Sequence, residues 1–84
     1  MKIDNRYFRV TNLNLAVFLY ALDQPITGIN PVNSSQKEFV FIRTPYLEEL
    51  EYLYKFGDRG DDRLLVSVHK YEMARKELLD RLND

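Results

Sequence analysis

The sequence predicts a small α+β domain, in which a three-stranded, mostly antiparallel sheet is packed with helices. Its 84 residues match one domain, and its 45% hydrophobic and 30% charged content is that of a globular protein. The hydrophobic spacing also changes along the chain between the period of a strand and that of a helix. The expected order is β-α-β-β-α-(short β)-α in one domain over residues 1–84, with residues 1–5 as a mobile tail.

The first two elements are a strand and a helix. Apolar and polar side chains alternate from Tyr7 to Thr11, which predicts a half-buried strand. A helix is predicted from Leu13 to Leu22, with Asn12 or Thr11 as its N-cap and Pro25 beyond its end. Its larger apolar side chains recur at the spacing of one helical face, so we expect one buried stripe. That stripe consists of Leu15, Phe18, Leu19 and Leu22.

Two strands joined by a polar turn follow. The strand from Ile26 to Val32 contains Gly28 and Pro31, so we expect it at an edge of the sheet or bulged. Residues 33–37 have the composition of a loop. The strand from Glu38 to Arg43 is apolar on both faces, which indicates a central strand that is covered on both sides or lies at an interface.

The second helix has clear end signals. Thr44 can cap it, Pro45 suits the first helical position, and Gly57 suits its end. Its expected buried stripe is Leu47, Leu50, Leu53 and Tyr54.

The last segment allows two interpretations. Either one long helix runs from Arg63 to Leu82, or a short extended piece, Leu64 to Val66, precedes a helix from Val68 to Leu82. We favour the second, because Ser67 is a good N-cap and the β-branched Val66 and Val68 favour extended backbone. The expected buried residues of that helix are Val68, Tyr71, Leu78 and Leu82, and the expected ion pairs are Glu72–Lys76 and Glu77–Arg81.

Composition limits the classes of function. The chain has no Cys, which excludes disulfides and thiolate metal sites and favours the cytoplasm. Its net charge of −1 argues against non-specific nucleic-acid binding, although a local basic patch stays open. We expect no signal peptide and no membrane span, because no apolar run approaches the ~20 residues that a span needs.

Three stretches together resemble a family of small bacterial and phage proteins, domain of unknown function 5659. The family opens with an aromatic, a basic and any residue, then Thr, polar, Leu, polar, Leu, Ala. The matching stretches are Tyr7-Phe8-Arg9-Val10-Thr11-Asn12-Leu13-Asn14-Leu15-Ala16-Val17-Phe18-Leu19, Phe39-Val40-Phe41 with Thr44 and an acidic helix, and Val66-Ser67-Val68-His69-Lys70-Tyr71 with Arg75 and Leu78. The family more often has Asp where Ser67 stands. The resemblance spans about Tyr7 to Leu82 and implies a phage or mobile-element setting in a bacterial host, but no chemistry.

No constellation of residues predicts catalysis. The lone His69 has neither a Cys nor a second His at a useful spacing, so a surface or packing role is favoured. Asp58, Asp61 and Asp62 lack the alternating carboxylates of a calcium loop and predict a solvated acidic turn. Arg59-Gly60-Asp61 matches an integrin-binding tripeptide. Matches of three residues arise often by chance, so we assign it no role. We therefore expect no enzyme activity, no cofactor, no metal and no small-molecule substrate.

The polar face of the first strand is the candidate binding surface. Tyr7, Arg9 and Thr11 share it, and we expect Arg43 of the central strand alongside. Arg beside Tyr suits a protein interface and can also stack on bases and bind phosphate, whereas the plain alternative is a packed Tyr with solvated arginines. The candidate binding residues are Arg6, Tyr7, Arg9, Thr11, Arg43 and Tyr46.

The second helix adds to the supply of surface aromatics. Its Tyr46, Tyr52 and Tyr54 are too many for one buried stripe, so at least one should be exposed or at an interface. The leading hypothesis is a non-enzymatic module that binds another protein or a second copy of itself, which would form a homodimer. The alternative is a nucleic-acid-binding accessory protein that uses the arginines of the strand face.

Overall fold

A computed structural model describes residues 6–58 and 60–83, and its elements follow the predicted order except that a short 3-10 turn stands near the expected short strand. The tail expected at residues 1–5 lies outside the described residues. The strands are β1 (Tyr7–Val10), β2 (Ile26–Pro31) and β3 (Lys37–Ile42). The helices are α1 (Leu13–Ala21), α2 (Pro45–Phe56) and α3 (Val68–Leu82), and a short 3-10 turn, Asp62–Leu64, precedes α3. The predicted α+β class is confirmed.

The three strands form an antiparallel sheet in the order β1-β3-β2, so the prediction of a central β3 is confirmed. β2 is an edge strand and carries a bulge between Ile26 and Gly28, as expected from its Gly and Pro. Phe39 and Phe41 of β3 point into the main core, whereas Val40 points to the other face and is nevertheless only 6% exposed. In the described part of the chain, the helical core covers one face of the sheet.

Helix α1 lies at the centre of the molecule. The prediction of one buried stripe is wrong for it, because the buried residues surround most of its circumference. The sheet covers one side of α1, and α2 and α3 contact it elsewhere. The buried residues of α1 are Leu15, Ala16, Val17, Phe18, Leu19 and Ala21.

The predicted caps of the three helices are confirmed. The Asn12 side chain accepts a hydrogen bond from the Leu15 amide at 3.1 Å, and Thr44 accepts one from the Leu47 amide at 3.0 Å. Ser67 Oγ accepts from the Lys70 amide at 3.0 Å, which satisfies a donor that the first turn of α3 leaves unpaired. The described chain thus favours a separate α3 over one long helix from Arg63.

Three details of the last two helices differ from the predictions. Tyr54 of α2 is 39% exposed instead of buried. Val68 is also exposed instead of buried, because α3 turns Ala74 and Leu78 toward the core. The 3-10 turn includes Leu64, where the short extended piece was expected to begin, and Leu65 after it has extended backbone angles. Neither expected ion pair of α3 forms within the described residues, since Glu77 instead accepts a hydrogen bond from the Tyr20 hydroxyl at 2.7 Å.

None of the helices in residues 6–58 and 60–83 is long and apolar enough to cross a bilayer.

Candidate functional site

The predicted polar face of β1 exists, but its charge is balanced within the chain. Tyr7 and Arg9 point away from the helices, opposite Ile42 and Val40 of β3. The Arg9 guanidinium lies 3.3 Å from a carboxylate oxygen of Glu38 on the neighbouring strand. The guanidinium of Arg6 lies over the Tyr7 ring, 5.5 Å from its centroid, which is a cation–π geometry.

Of the other candidate binding residues, Arg43 reaches Tyr7 only at its backbone, where its guanidinium donates a hydrogen bond to the carbonyl oxygen at 3.4 Å. Arg43 follows β3, and its guanidinium lies over the core-facing Phe8 ring and pairs with Glu48 at the start of α2. It does not lie alongside Arg9, as we expected, because side chains alternate along a strand and Arg43 shares the side of Phe41. Thr11 is exposed beyond the end of β1, and Tyr46 is exposed in the first turn of α2.

The remaining polar candidates stay apart from one another. His69 is exposed in the first turn of α3. Asp61 caps the 3-10 turn and accepts hydrogen bonds from the backbone and side chain of Arg63, which lower the pKa of that carboxyl. Within residues 6–58 and 60–83, no cluster of His, Asp and Glu could hold a metal ion. Arg59 of the tripeptide lies outside the described residues.

The described surface contains a groove that the sequence analysis did not identify. It has a volume of about 980 Å³ and lies between the end of α2, the 3-10 turn and α3, with Phe18 of α1 among its lining residues. The Tyr54 and Phe18 rings pack with their centroids 5.3 Å apart, and partial burial raises the pKa of the Tyr54 hydroxyl. Apart from the charged side chains of α3, the lining is apolar or aromatic: Phe18, Tyr54, Leu64, Val66, Val68, Tyr71 and Leu79.

Large apolar side chains are exposed in this groove and next to its lining residues in the chain. Leu65, next to the lining residues Leu64 and Val66, is 69% exposed, and Val68 is 72% exposed. Isolated exposed apolar residues are ordinary, but a contiguous apolar groove with exposed apolar side chains is typical of an interaction site. The groove is therefore the feature of the described surface that best fits a binding role.

One wall of the groove carries charges from α3. Glu72, Arg75, Lys76 and Asp80 line it together with Leu79. Within the described residues, these four charged side chains make no ion pair or side-chain hydrogen bond. The groove contains two carboxylates, but His69 is not among its lining residues, so no imidazole faces them.

A signal for the groove was present in the sequence. The segment that leads into α3 contains more apolar residues than a turn of this length needs: Leu64, Leu65, Val66 and Val68. Tyr71 follows about one helical turn later. The prediction assigned Val68 and Tyr71 to the core. Tyr71 is half buried and does pack against the core, but it also lines the groove, whereas Val68 lines the groove and is exposed. These positions depend on the rotation of α3 about its axis, which its packing against α1 sets.

The chain was compared with protein-family models, with curated proteins and with solved structures, and nothing matched in any of the three. The resemblance to domain of unknown function 5659 therefore stays a prediction from the quoted residues.

Proposed function

We propose that this chain is a non-enzymatic interaction module that binds protein through the groove between α2, the 3-10 turn and α3. The observation that carries the proposal is the apolar lining of the groove together with the exposure of its lining residue Val68 and of Leu65, which lies between two lining residues in the chain. Keeping such a surface in water is unfavourable by roughly 25 cal/mol for each Å² of apolar area, so its burial would favour association. A helical segment with an apolar face has the shape and chemistry that suit such a groove.

The alternative of nucleic-acid binding has less support from the geometry. Arg9 pairs with Glu38 and Arg43 pairs with Glu48, so both guanidinium groups have carboxylate partners within the chain. A phosphate would have to compete with these carboxylates. The proposed phage or mobile-element setting in a bacterial host rests on the family resemblance alone, whereas the proposed cytoplasmic location rests on the absence of Cys.

Site-specific photo-crosslinking tests the proposed function. A photoreactive amino acid replaces the exposed Leu65, which lies between the lining residues Leu64 and Val66 in the chain, and the matched control carries it at Val32, which is half exposed and does not line the groove. We expect discrete protein adducts from position 65, either with a second copy or with another protein, and none of the same mass from position 32. Adducts that are absent or identical at the two positions would contradict the proposal.

A further inference from the structure

Four side chains of α3 form a row along the groove: Val68, Glu72, Arg75 and Leu79. They follow one another at intervals of four, three and four residues, which is the spacing of a coiled-coil seam. We propose that this row is the contact through which two copies of the chain associate, with their α3 helices antiparallel across the mouth of the groove. The proposal rests on the proposed function and names the protein that the groove binds.

The row is complementary to itself when it is reversed. In a two-fold antiparallel arrangement, Val68 faces Leu79 of the partner subunit, and Glu72 faces Arg75 of the partner subunit. The symmetry repeats both contacts, which gives two apolar contacts at the ends and two opposite-charge contacts at the centre. An isologous interface requires such a pattern, because the same patch must fit its own copy.

The side chains of the row are exposed in the single chain, as expected of a surface that a second copy would cover. Val68 is 72% exposed although it is β-branched and apolar, and Leu79 is half buried at the other end. Glu72 and Arg75 are exposed, and neither has an ion-pair partner within the described residues. All four side chains are thus available to a second chain.

The charges on the other side of α3 are already engaged with the rest of the chain. Lys70 lies 3.3 Å from Asp23, Glu77 accepts the hydrogen bond of Tyr20, and Arg81 lies over the Tyr20 ring. That side holds α3 against α1, so the free charges are confined to the groove side. Lys76 and Asp80 also lie there, but at the margin of the row, where they stay in solvent.

Sedimentation equilibrium of the purified chain, up to a concentration of about 1 mM, measures the association. We expect a reversible dimer. Glu72→Arg and Arg75→Glu each replace two attractive contacts by two like-charge contacts and should weaken the dimer about tenfold. The double variant E72R/R75E should restore the wild-type affinity, and an equimolar mixture of the two single variants should form a heterodimer.

The control is Lys55→Glu, a charge reversal at an exposed residue of α2 that does not line the groove. We expect the dissociation constant to change by less than about threefold, because Lys55 lies outside both the groove and the row. Far-UV circular dichroism of every variant verifies that α3 is intact.

Two results would overturn the inference. One is a wild-type chain that stays monomeric throughout the series, and the other is a double variant that stays as weak as the single variants. Crosslinks from position 65 to a different protein, together with a monomeric chain, would refute the second copy and leave the proposed function standing. Absence of both would refute both proposals.

Discussion

Helices α1 and α3 make opposite uses of their length. α1 has nine residues and buries six of them, whereas α3 has fifteen residues and buries only Ala74 and Leu78. α1 therefore has almost no surface to offer a partner. α3 is held to the core along one narrow side and leaves most of its circumference in solvent.

The residues that stabilise the fold are therefore different from the residues that we propose bind a partner. Apolar burial is the dominant favourable contribution to folding, and here it is concentrated around α1 and the inner face of the sheet. Substitutions in the exposed row of α3 should therefore change binding with little effect on the fold. Each of the following predictions tests that separation, beginning with the largest expected effect.

Truncation of α1 should have the largest effect. Leu19 is fully buried at the centre of the core, so Leu19→Ala should lower the free energy of unfolding by about 3 kcal/mol. Urea denaturation followed by circular dichroism measures it. The matched control is Leu65→Ala, which removes the same atoms from a largely exposed residue and should cost less than about 0.5 kcal/mol. Similar losses in the two variants would contradict the contrast between the helices.

The helix caps compare the two helices directly. Asn12→Ala removes the cap of α1 and should lower the free energy of unfolding by about 1 kcal/mol. Ser67→Ala removes the cap of α3, where the first turn is exposed, so the loss should appear first as local fraying. Hydrogen exchange should show faster exchange at residues 68–71 in the second variant only. Uniform acceleration across the protein by Ser67→Ala would show that α3 unfolds together with the core.

The contact between the two helices should depend on pH. The hydrogen bond to Glu77 raises the pKa of Tyr20 above its ordinary value of 10.0, so the folded state favours the protonated hydroxyl. This contribution to stability is complete below pH 10 and is lost as the pH rises through the higher pKa of the folded state. Tyr20→Phe should cost about 0.5 kcal/mol at neutral pH. Urea titrations between about pH 8 and pH 11 should show that the wild-type advantage declines with rising pH. An advantage that grows would contradict the assignment.

The smallest effect on stability is expected in the exposed row. Val68 is the first residue of α3, where a negative charge is favourable to the helix dipole, so Val68→Asp should change the free energy of unfolding by less than about 0.5 kcal/mol. The same change places a charge in the proposed apolar contact and should weaken self-association. Thermal unfolding and sedimentation measure the two effects separately. A large loss of stability would place Val68 in the core instead of the groove.

Local signals account for most of what the sequence predicted correctly. The caps at Asn12, Thr44 and Ser67 act within three residues along the chain, so the residues themselves identify the helix starts. The edge position of β2 followed from Gly28 and Pro31, which weaken a central strand.

The errors concern rotation and neighbours, which local patterns do not determine. The stripe predicted for α1 follows from the spacing of its large residues, but Val17 is also fully buried, because α1 is enclosed by more than the sheet. Val68 satisfies the spacing of a buried stripe, yet α3 is rotated so that Ala74 faces the core. Arg43 continues the strand pattern past the end of β3 and pairs with Glu48, a contact that depends on where α2 begins. The groove depends on the same tertiary packing of the helices. Its apolar residues can therefore be identified in the sequence, but its shape cannot.

The strand order has a consequence for how the chain folds. β2 and β3 are joined by a short loop and can pair locally, whereas β1 reaches β3 only after α1 and β2 have intervened. Pairing β1 with β3 closes a longer loop and costs more conformational entropy than forming the β2–β3 hairpin. The burial of α1 beneath the sheet must offset that cost as β1 pairs. We therefore expect the β2–β3 hairpin to form early and the docking of β1 with α1 to be the late, rate-limiting event.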